Sequence, residues 1–331
     1  MAASIKDVAR EAGVSIATVS RVLNDVDVVN DDTKQKVLDA IKKLDYRPNI
    51  VARSLKTQKS KTIGIIIPDI SSPFYPEVVR GAEDVANIYD YNIILCNADL
   101  DTEKELDYIR VLREKMCDGI VLMSSSLNQE ALDLAKNLSL KTVLVETKDK
   151  EGEFPSVTVD DERAAFDMVS RLIKNGNKKI AFIGVSLEEN NAKSLRYEGY
   201  KRALQQNDIE FKEELVSFGG LKAKDGFRAM EKIIRNTDVD AVFCVSDELA
   251  MGAINSLREN NLRVPEDIDV AGFDDIYAAS QFYPKLTTVA VPMYDMGSVG
   301  MRMLIKSINN QDLEPMHYVL PHQIIERNSC K

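Results

Sequence analysis

"SIKDVAREAGVSIATVSRVLN", residues 4–24, decides how the chain begins. Two short amphipathic helices are legible in it, separated by a turn at Gly13 to Ser15. In the first, Val8, Ala9 and Ala12 fall on one face, and Gly13 can take the left-handed conformation that ends a helix. Ser15 then caps a second helix whose Val19, Val22 and Leu23 point inward, leaving Ile16, Ala17, Thr18 and Arg21 outward. This is helix-turn-helix logic, in which the second helix offers a small, contact-ready face to a major groove. A helical hairpin at a domain edge would share the same turn and cap.

The charge balance separates this segment from the rest of the chain. The 331-residue chain has a net charge of −10, yet residues 1–60 hold 11 Lys and Arg against 8 Asp and Glu, a balance of +3 that leaves −13 for the remainder. A small module suited to a polyanion is joined to an acidic body that would avoid one. Hydrophobic content of 44% with 29% charged residues is ordinary for a soluble globular chain. The first residues lack the features of a secretory signal, and no apolar run approaches the roughly 18 residues of a membrane span, so a cytoplasmic location without membrane contact is expected. Cys96, Cys117, Cys244 and Cys330 lie far apart without a C-x-x-C pair and read as buried thiols. With only His317 and His322 available, no histidine-based metal site is expected.

From Lys61 onward, β-branched apolar runs recur: "TIGIIIPD", "YNIILCNAD", "GIVLMS", "TVLVE", "KIAFIGV", "DAVFCVSD" and "DIDVAGFD". Amphipathic helical patterns lie between most of them, such as "ERAAFDMVSRLIKNG", where Ala165, Val169, Leu172 and Ile173 share a face and Gly176 marks the stop. Strand, helix, strand in repetition predicts parallel sheets with helices on both sides. The units are too many for one sheet, and the polar stretch after Val157 to Val159 marks a break between two doubly wound halves. Ligands in such folds sit at the carboxyl ends of strands, which here read "PDISSPFY", "CNAD", "MSSS", "VSDE" and "GFDD" and suit a polyhydroxylated ligand. No Walker A, G-x-G-x-x-G or G-x-S-x-G sequence is present. Asp247, Asp274 and Asp275 could form a hydrolytic pair, but strand-end aspartates more often cap helices or hold ligand hydroxyls, so no catalytic residue is assigned.

"IKDVAREAGVSIATVSRVLN", then "TKQKVLDAIKKLDYRPNIVARSLKTQKS", with "GFDD" and the closing "LPHQIIERNSC", resembles the LacI/GalR family of bacterial repressors along the whole chain. The resemblance implies a small all-α helix-turn-helix DNA-binding headpiece over residues 1–48, a hinge helix and linker over 49–60, and an α/β core over 61–331. That core would be periplasmic-binding-protein-like, two doubly wound parallel-sheet subdomains formed by about 61–160 with 291–320 and about 161–290 with 321–331. The resemblance also implies a homodimer, whose two-fold symmetry calls for a pseudo-palindromic double-stranded operator, and no leucine heptads point to a tetramer.

For DNA, Ile16, Ala17 and Arg21 are expected in the major groove, Arg21 as a candidate for guanine O6/N7 and Ala17 for a thymine methyl, with Thr18 available to base or phosphate. Ser4, Ser15, Ser20, Asn24, Asn49 and Lys56 complete the expected contact set, with the hydroxyls chiefly on phosphates. In "RPNIVARSLKT" the Pro48 start and the Val51, Ala52, Leu55 spacing suit a hinge helix too short to stand alone. By resemblance it orders on DNA and wedges Leu55 into the central step of the minor groove. The family's effector cleft matches Phe74, Arg196, Asp247 and Asp274 here, an aromatic face, a fork and paired acceptors that suit a sugar or sugar phosphate. Each has a plainer use: Phe74 in the core, Arg196 paired with Glu198 or Glu189, the aspartates as caps.

"PMYDMGSVGMRMLIK", residues 292–306, reads as a helix with Met296, Val299 and Met303 on its apolar side and Asp295, Arg302 and Lys306 on another, Tyr294 beside them. Together with "IPDISSPFY", "GAEDVANIYDYNIIL" and "GYKRAL", it resembles the catabolite-control branch of the family, found in low-GC Gram-positive bacteria. That branch takes seryl-phosphorylated HPr as corepressor. The resemblance places Arg302 on the phosphoserine, Asp295 and Lys306 beside it, Tyr294 as an aromatic anchor, and Asp84, Asn87 and Tyr89 in a second docking patch. A plain sugar-responsive repressor needs none of these.

Overall fold

The computed structural model describes residues 3–23, 29–46, 59–124, 127–185 and 192–331. Asn24, Asn49, Ala52, Leu55 and Lys56, with most of the expected hinge segment, lie outside the described residues. The chain divides into two compact units, Met1–Ser60 and Lys61–Lys331.

The first unit holds α1 (Ile5–Ala12), α2 (Ile16–Leu23) and α3 (Asp31–Lys43). Ser4 and Asp7 form a capping box at the start of α1, and Gly13 ends it at φ 66°. The Ser15 hydroxyl accepts the Thr18 amide at 3.1 Å to start α2, and Asn30 accepts the Thr33 amide at 2.8 Å to start α3. Val8, Val19, Val22, Val37 and Ala40 are buried together. So small a core stands on a few branched side chains, with each helix end closed by a side chain or glycine.

The second unit runs β1 (Thr62–Ile67), α4 (Phe74–Ile88), β2 (Asn92–Asn97), α5 (Thr102–Glu114), β3 (Gly119–Leu122), α6 (Gln129–Asn137), β4 (Lys141–Val145) and β5 (Ser156–Val159). It continues through α7 (Asp161–Lys174), β6 (Ile180–Val185), α8 (Ala192–Gln206), β7 (Val216–Gly219), α9 (Ala223–Asn236), β8 (Ala241–Cys244), α10 (Asp247–Glu259) and β9 (Asp269–Asp274). It closes with α11 (Tyr277–Gln281), β10 (Thr287–Ala290), α12 (Met293–Ile308), β11 (His317–Leu320) and β12 (Gln323–Ile325). Two six-stranded sheets result, in the orders β11-β5-β4-β3-β1-β2 and β12-β10-β9-β8-β6-β7. Every described pairing is parallel except β10 with β12. Central strands are apolar on both faces because helices cover both, as the unbroken burial of Ile63 to Ile67 shows.

The chain passes from the first sheet to the second after β5, returns through α12 to β11, and leaves again for β12. The late helix α12 therefore belongs to the first lobe, packed on α4 and across β3, β4 and β5. Two glycines let α4 and α12 touch at their backbones. A Cβ on Gly81 would lie 2.0 Å from the Tyr294 carbonyl oxygen, and one on Gly297 would lie 1.8 Å from that of Val78. No side chain fits there, so the helix pair has one spacing and one register.

Gly297→Ala should therefore destabilise the protein by at least ~2 kcal/mol in urea unfolding, whereas Gly219→Ala, whose added methyl group would meet nothing within 4 Å, should change stability by less than ~0.5 kcal/mol. Equal stabilities for the two variants would show that the helices are not in backbone contact.

Candidate functional site

In the first unit, Val19 and Val22 turn into the core and leave Ile16, Ala17 and Arg21 exposed, with Thr18 and Ser20 partly so. Ile16 is 44% exposed although it opens the helix, which is a high value for an isoleucine with no solvent role. The Ser15 and Thr18 hydroxyls lie 2.9 Å apart and leave acceptor capacity on the outer side. Ser4 donates its hydroxyl to the Asp7 carboxylate at 2.7 Å, and that bond is the first cause holding the Asp7 carboxyl below its usual range. The expected Ser4, Ser15, Ile16, Ala17, Thr18, Ser20 and Arg21 thus fall along the start of α1 and the outer side of α2, with chemistry for phosphates, a methyl group and a guanine edge.

On the core, the two expected docking patches are one surface. Asp84 and Asn87 are exposed on α4 and Tyr89 directly follows it, while Tyr294, Asp295, Arg302 and Lys306 are exposed on α12. The Tyr294 hydroxyl donates to Asp84 Oδ2 at 2.8 Å, across 210 positions of sequence. That bond, followed by partial desolvation and the Asp84 charge, raises the Tyr294 phenol, against the opposing charges of Arg80 and Arg302. Arg80 and Arg302 are both exposed and neither makes a hydrogen bond or ion pair among the described residues. Arg302 in particular does not pair with Asp295, one turn of sequence spacing too far along the helix. Sequence reasoning misses Arg80, although its place four residues before Asp84 puts it on the same side of α4. Two unpaired guanidinium groups near a fixed phenol suit a dianion such as a phosphate monoester.

The cleft between the lobes differs from the expectation. Phe74 and Asp274 line it, but Arg196 and Asp247 stand behind its wall. Arg196 is 2% exposed: its Nε donates to Asp161 at 2.8 Å, its Nη1 to the Val245 carbonyl at 2.6 Å and to Asp274 at 3.3 Å, and its guanidinium lies 3.6 Å from the Phe273 ring centroid. Its partners are Asp161, Asp274 and the Val245 carbonyl and not Glu198, while Glu189 lies outside the described residues; burial demands such satisfied donors. Asp247 is fully buried, accepting from the Thr288 hydroxyl at 2.6 Å and the Ile276 amide at 2.8 Å. Burial, then the charge of Asp274, raises its carboxyl well above the usual range despite those two donors. Its neighbours Ser246 and Glu248 are the ones that reach the cleft. Asp274 carries φ 106° and Asp275 φ 58°, a strained pair at the strand end. Burial pushes the Asp274 carboxyl up to about 6, with Arg196 and Lys193 opposing. The hydrolytic reading fails here too, since Asp247 faces Thr288 and Gly272 rather than open space.

Residues the sequence did not single out fill the cleft. Lys222 of the second lobe reaches Asp69 Oδ2 at 2.7 Å and the Ser71 hydroxyl at 2.6 Å in the first. Lys193 of α8 reaches Glu146 Oε1 at 3.0 Å, and Tyr75 donates to Glu146 Oε2 at 3.0 Å. Burial alone would raise Asp69, but the bonds from Lys222 and Ser71 outweigh it and hold that carboxyl below its usual range. The remaining cavity is 40 Å³.

A three-helix headpiece with an exposed second helix, in a chain whose second unit is a two-lobed core of parallel sheets, defines a bacterial transcriptional regulator. Residues 4–49 match the bacterial regulatory proteins of the lacI family, and residues 169–330 match the periplasmic binding protein-like domain. The HTH-type transcriptional regulator RegA of Clostridium acetobutylicum is 66% identical over 334 residues, covering 100% of both chains. Catabolite control protein A of Priestia megaterium is 42% identical, again over 100% of both. The crystal structure of the transcription regulator CcpA of Lactococcus lactis matches with a TM-score of 0.77 at 37% identity, over 82% of this chain and 99% of that one. The chain belongs to the lacI family of DNA-binding transcriptional regulators. These relatives are named regulators rather than enzymes, and among the described residues no helix is long and apolar enough to cross a membrane.

Asp247→Ala should cost about 2–4 kcal/mol in chemical unfolding, because it strands the Thr288 hydroxyl and the Ile276 amide. A variant of unchanged stability would return Asp247 to the cleft as a ligand group.

Proposed function

We propose that this chain controls carbon-catabolic genes as a homodimer on pseudo-palindromic operators, with seryl-phosphorylated HPr as its corepressor. The observation that carries this reading is the α4–α12 face. Arg80 of α4 and Arg302 of α12 stand unpaired, both close enough to act on the Tyr294 hydroxyl that bonds Asp84, on a helix pair fixed by backbone contact. A phosphoserine between two guanidinium groups would gain charge-assisted bonds without breaking any existing pair. Asp295 and Lys306 would meet opposite charges on the partner, with Tyr294 and Tyr89 as aromatic anchors of low entropy cost. The naming of relatives as catabolite control protein A supports the regulatory context. On the DNA side, Arg21, Ala17 and Ile16 would read base edges, and Leu55 would wedge the central step.

Binding on this face would bias the first lobe towards the orientation that suits DNA, a coupling between two sites. Operator affinity measured with HPr, with its seryl-phosphorylated form and with neither tests the reading. The phosphorylated form should tighten binding by ~1–3 kcal/mol, and Arg302→Ala should erase that gain while leaving basal affinity intact. Equal effects of the two forms of HPr would exclude the face as a phosphoserine site.

A further inference from the structure

We infer that the cleft between the lobes is closed by the chain's own lysines, Lys193 and Lys222, in place of a small-molecule ligand. Both ion pairs run from one lobe to the other. Lys222 begins the α9 side of the second lobe and ends on Asp69 and Ser71, in the loop after β1 of the first. Lys193 begins α8 of the second lobe and ends on Glu146, at the carboxyl end of β4 of the first. These are the strand-end positions where a ligand of this fold would sit.

Glu146 is built for the contact. It is 6% exposed, its backbone is held at φ 77°, and both carboxylate oxygens are occupied, one by Lys193 and one by Tyr75. A non-glycine residue keeps such a conformation only where its surroundings over-determine it. Lys193 is itself 8% exposed, and a buried ammonium is tolerated only opposite a matched, hydrogen-bonded acid. Opening the lobes would break both pairs at once.

The same groups exclude a ligand. What remains is 40 Å³, room for a few water molecules, against the roughly 300–1,000 Å³ of small-molecule sites. Arg196, the fork a sugar or its phosphate would need, already donates to Asp161, Val245 and Asp274. Around the cavity, the carboxyls of Asp69, Glu146, Glu248 and Asp274 outnumber the two lysines, which opposes a phosphorylated sugar further.

Hydrogen exchange of the full chain, followed by mass spectrometry, reads the lock without DNA or protein partner, so its outcome is independent of the function proposed above. Lys222→Met, at a partly exposed pair that the fold can lose, should speed exchange several-fold in segments 69–75 and 219–225, and Lys222→Arg should return it towards the wild-type rate. Lys193→Met should do the same around residues 146 and 193–196. Calorimetry of the wild-type chain with glucose and with glucose 6-phosphate should show no binding. Unchanged exchange in Lys222→Met, no recovery in Lys222→Arg, or micromolar binding of either sugar by the wild-type chain would each overturn the proposal.

Discussion

Backbone contact between α4 and α12 at Gly81 and Gly297 is the constraint on which the core depends. These helices come from opposite ends of the core sequence, and α12 is the segment that returns from the second lobe to the first. Because the contact leaves no room for a methyl group, α12 cannot rotate or slide on α4 without separating from it. Met296, Met301, Met303 and Leu304 fill the space beneath, buried in the same core as Val78, Ala82 and Val85 of α4. The outer face inherits this rigidity, so Tyr294 meets Asp84 and the backbone positions that carry Arg80 and Arg302 are held relative to each other. Preorganised cations bind a dianion with less ordering cost than mobile ones.

The lobes are joined differently from the helices. Three crossings of the chain tie the sheets together and one buried apolar cluster runs through both lobes, while the cleft itself is spanned by ion pairs. A partly exposed ion pair such as Lys222–Asp69 loses little when it is exchanged for water, whereas apolar contacts must be exposed at a cost proportional to area. The first lobe is thus stiff on its α4–α12 face, the docking surface proposed above, which belongs to a different unit of the chain from the DNA-binding helices.

The legible part of the sequence was local. Strands β1, β3, β4, β6, β8 and β9 coincide with the apolar runs, because a strand buried on both faces must be written in consecutive apolar residues; the edge strand β2 coincides with one too, although it is largely exposed. The headpiece was equally readable, since Ser15, Gly13 and the Val19/Val22 spacing each act within a turn or two of helix. Strands β7 and β10 were not. Val216–Gly219 is half exposed at a sheet edge, and Thr287 and Thr288 are buried only because their hydroxyls bond the Arg327 amide and Asp247. The cleft was the least legible part. Its lysines sit 153 and 47 positions from their acids, and nothing local distinguishes Lys222 from the neighbouring Lys224. Asp247 misleads for a related reason: near a strand end it resembles a ligand group, but as the first residue of α10 it turns into the core while its neighbours Ser246 and Glu248 reach the cleft.

If α4 and α12 form a single docking face for a phosphoprotein, hydrogen exchange of the chain with and without seryl-phosphorylated HPr locates that face most directly. Protection should arise together in residues 74–90 and 293–308, only with the phosphorylated form. Protection confined to one of these helices, or centred on the segments that border the cleft, would contradict the shared face.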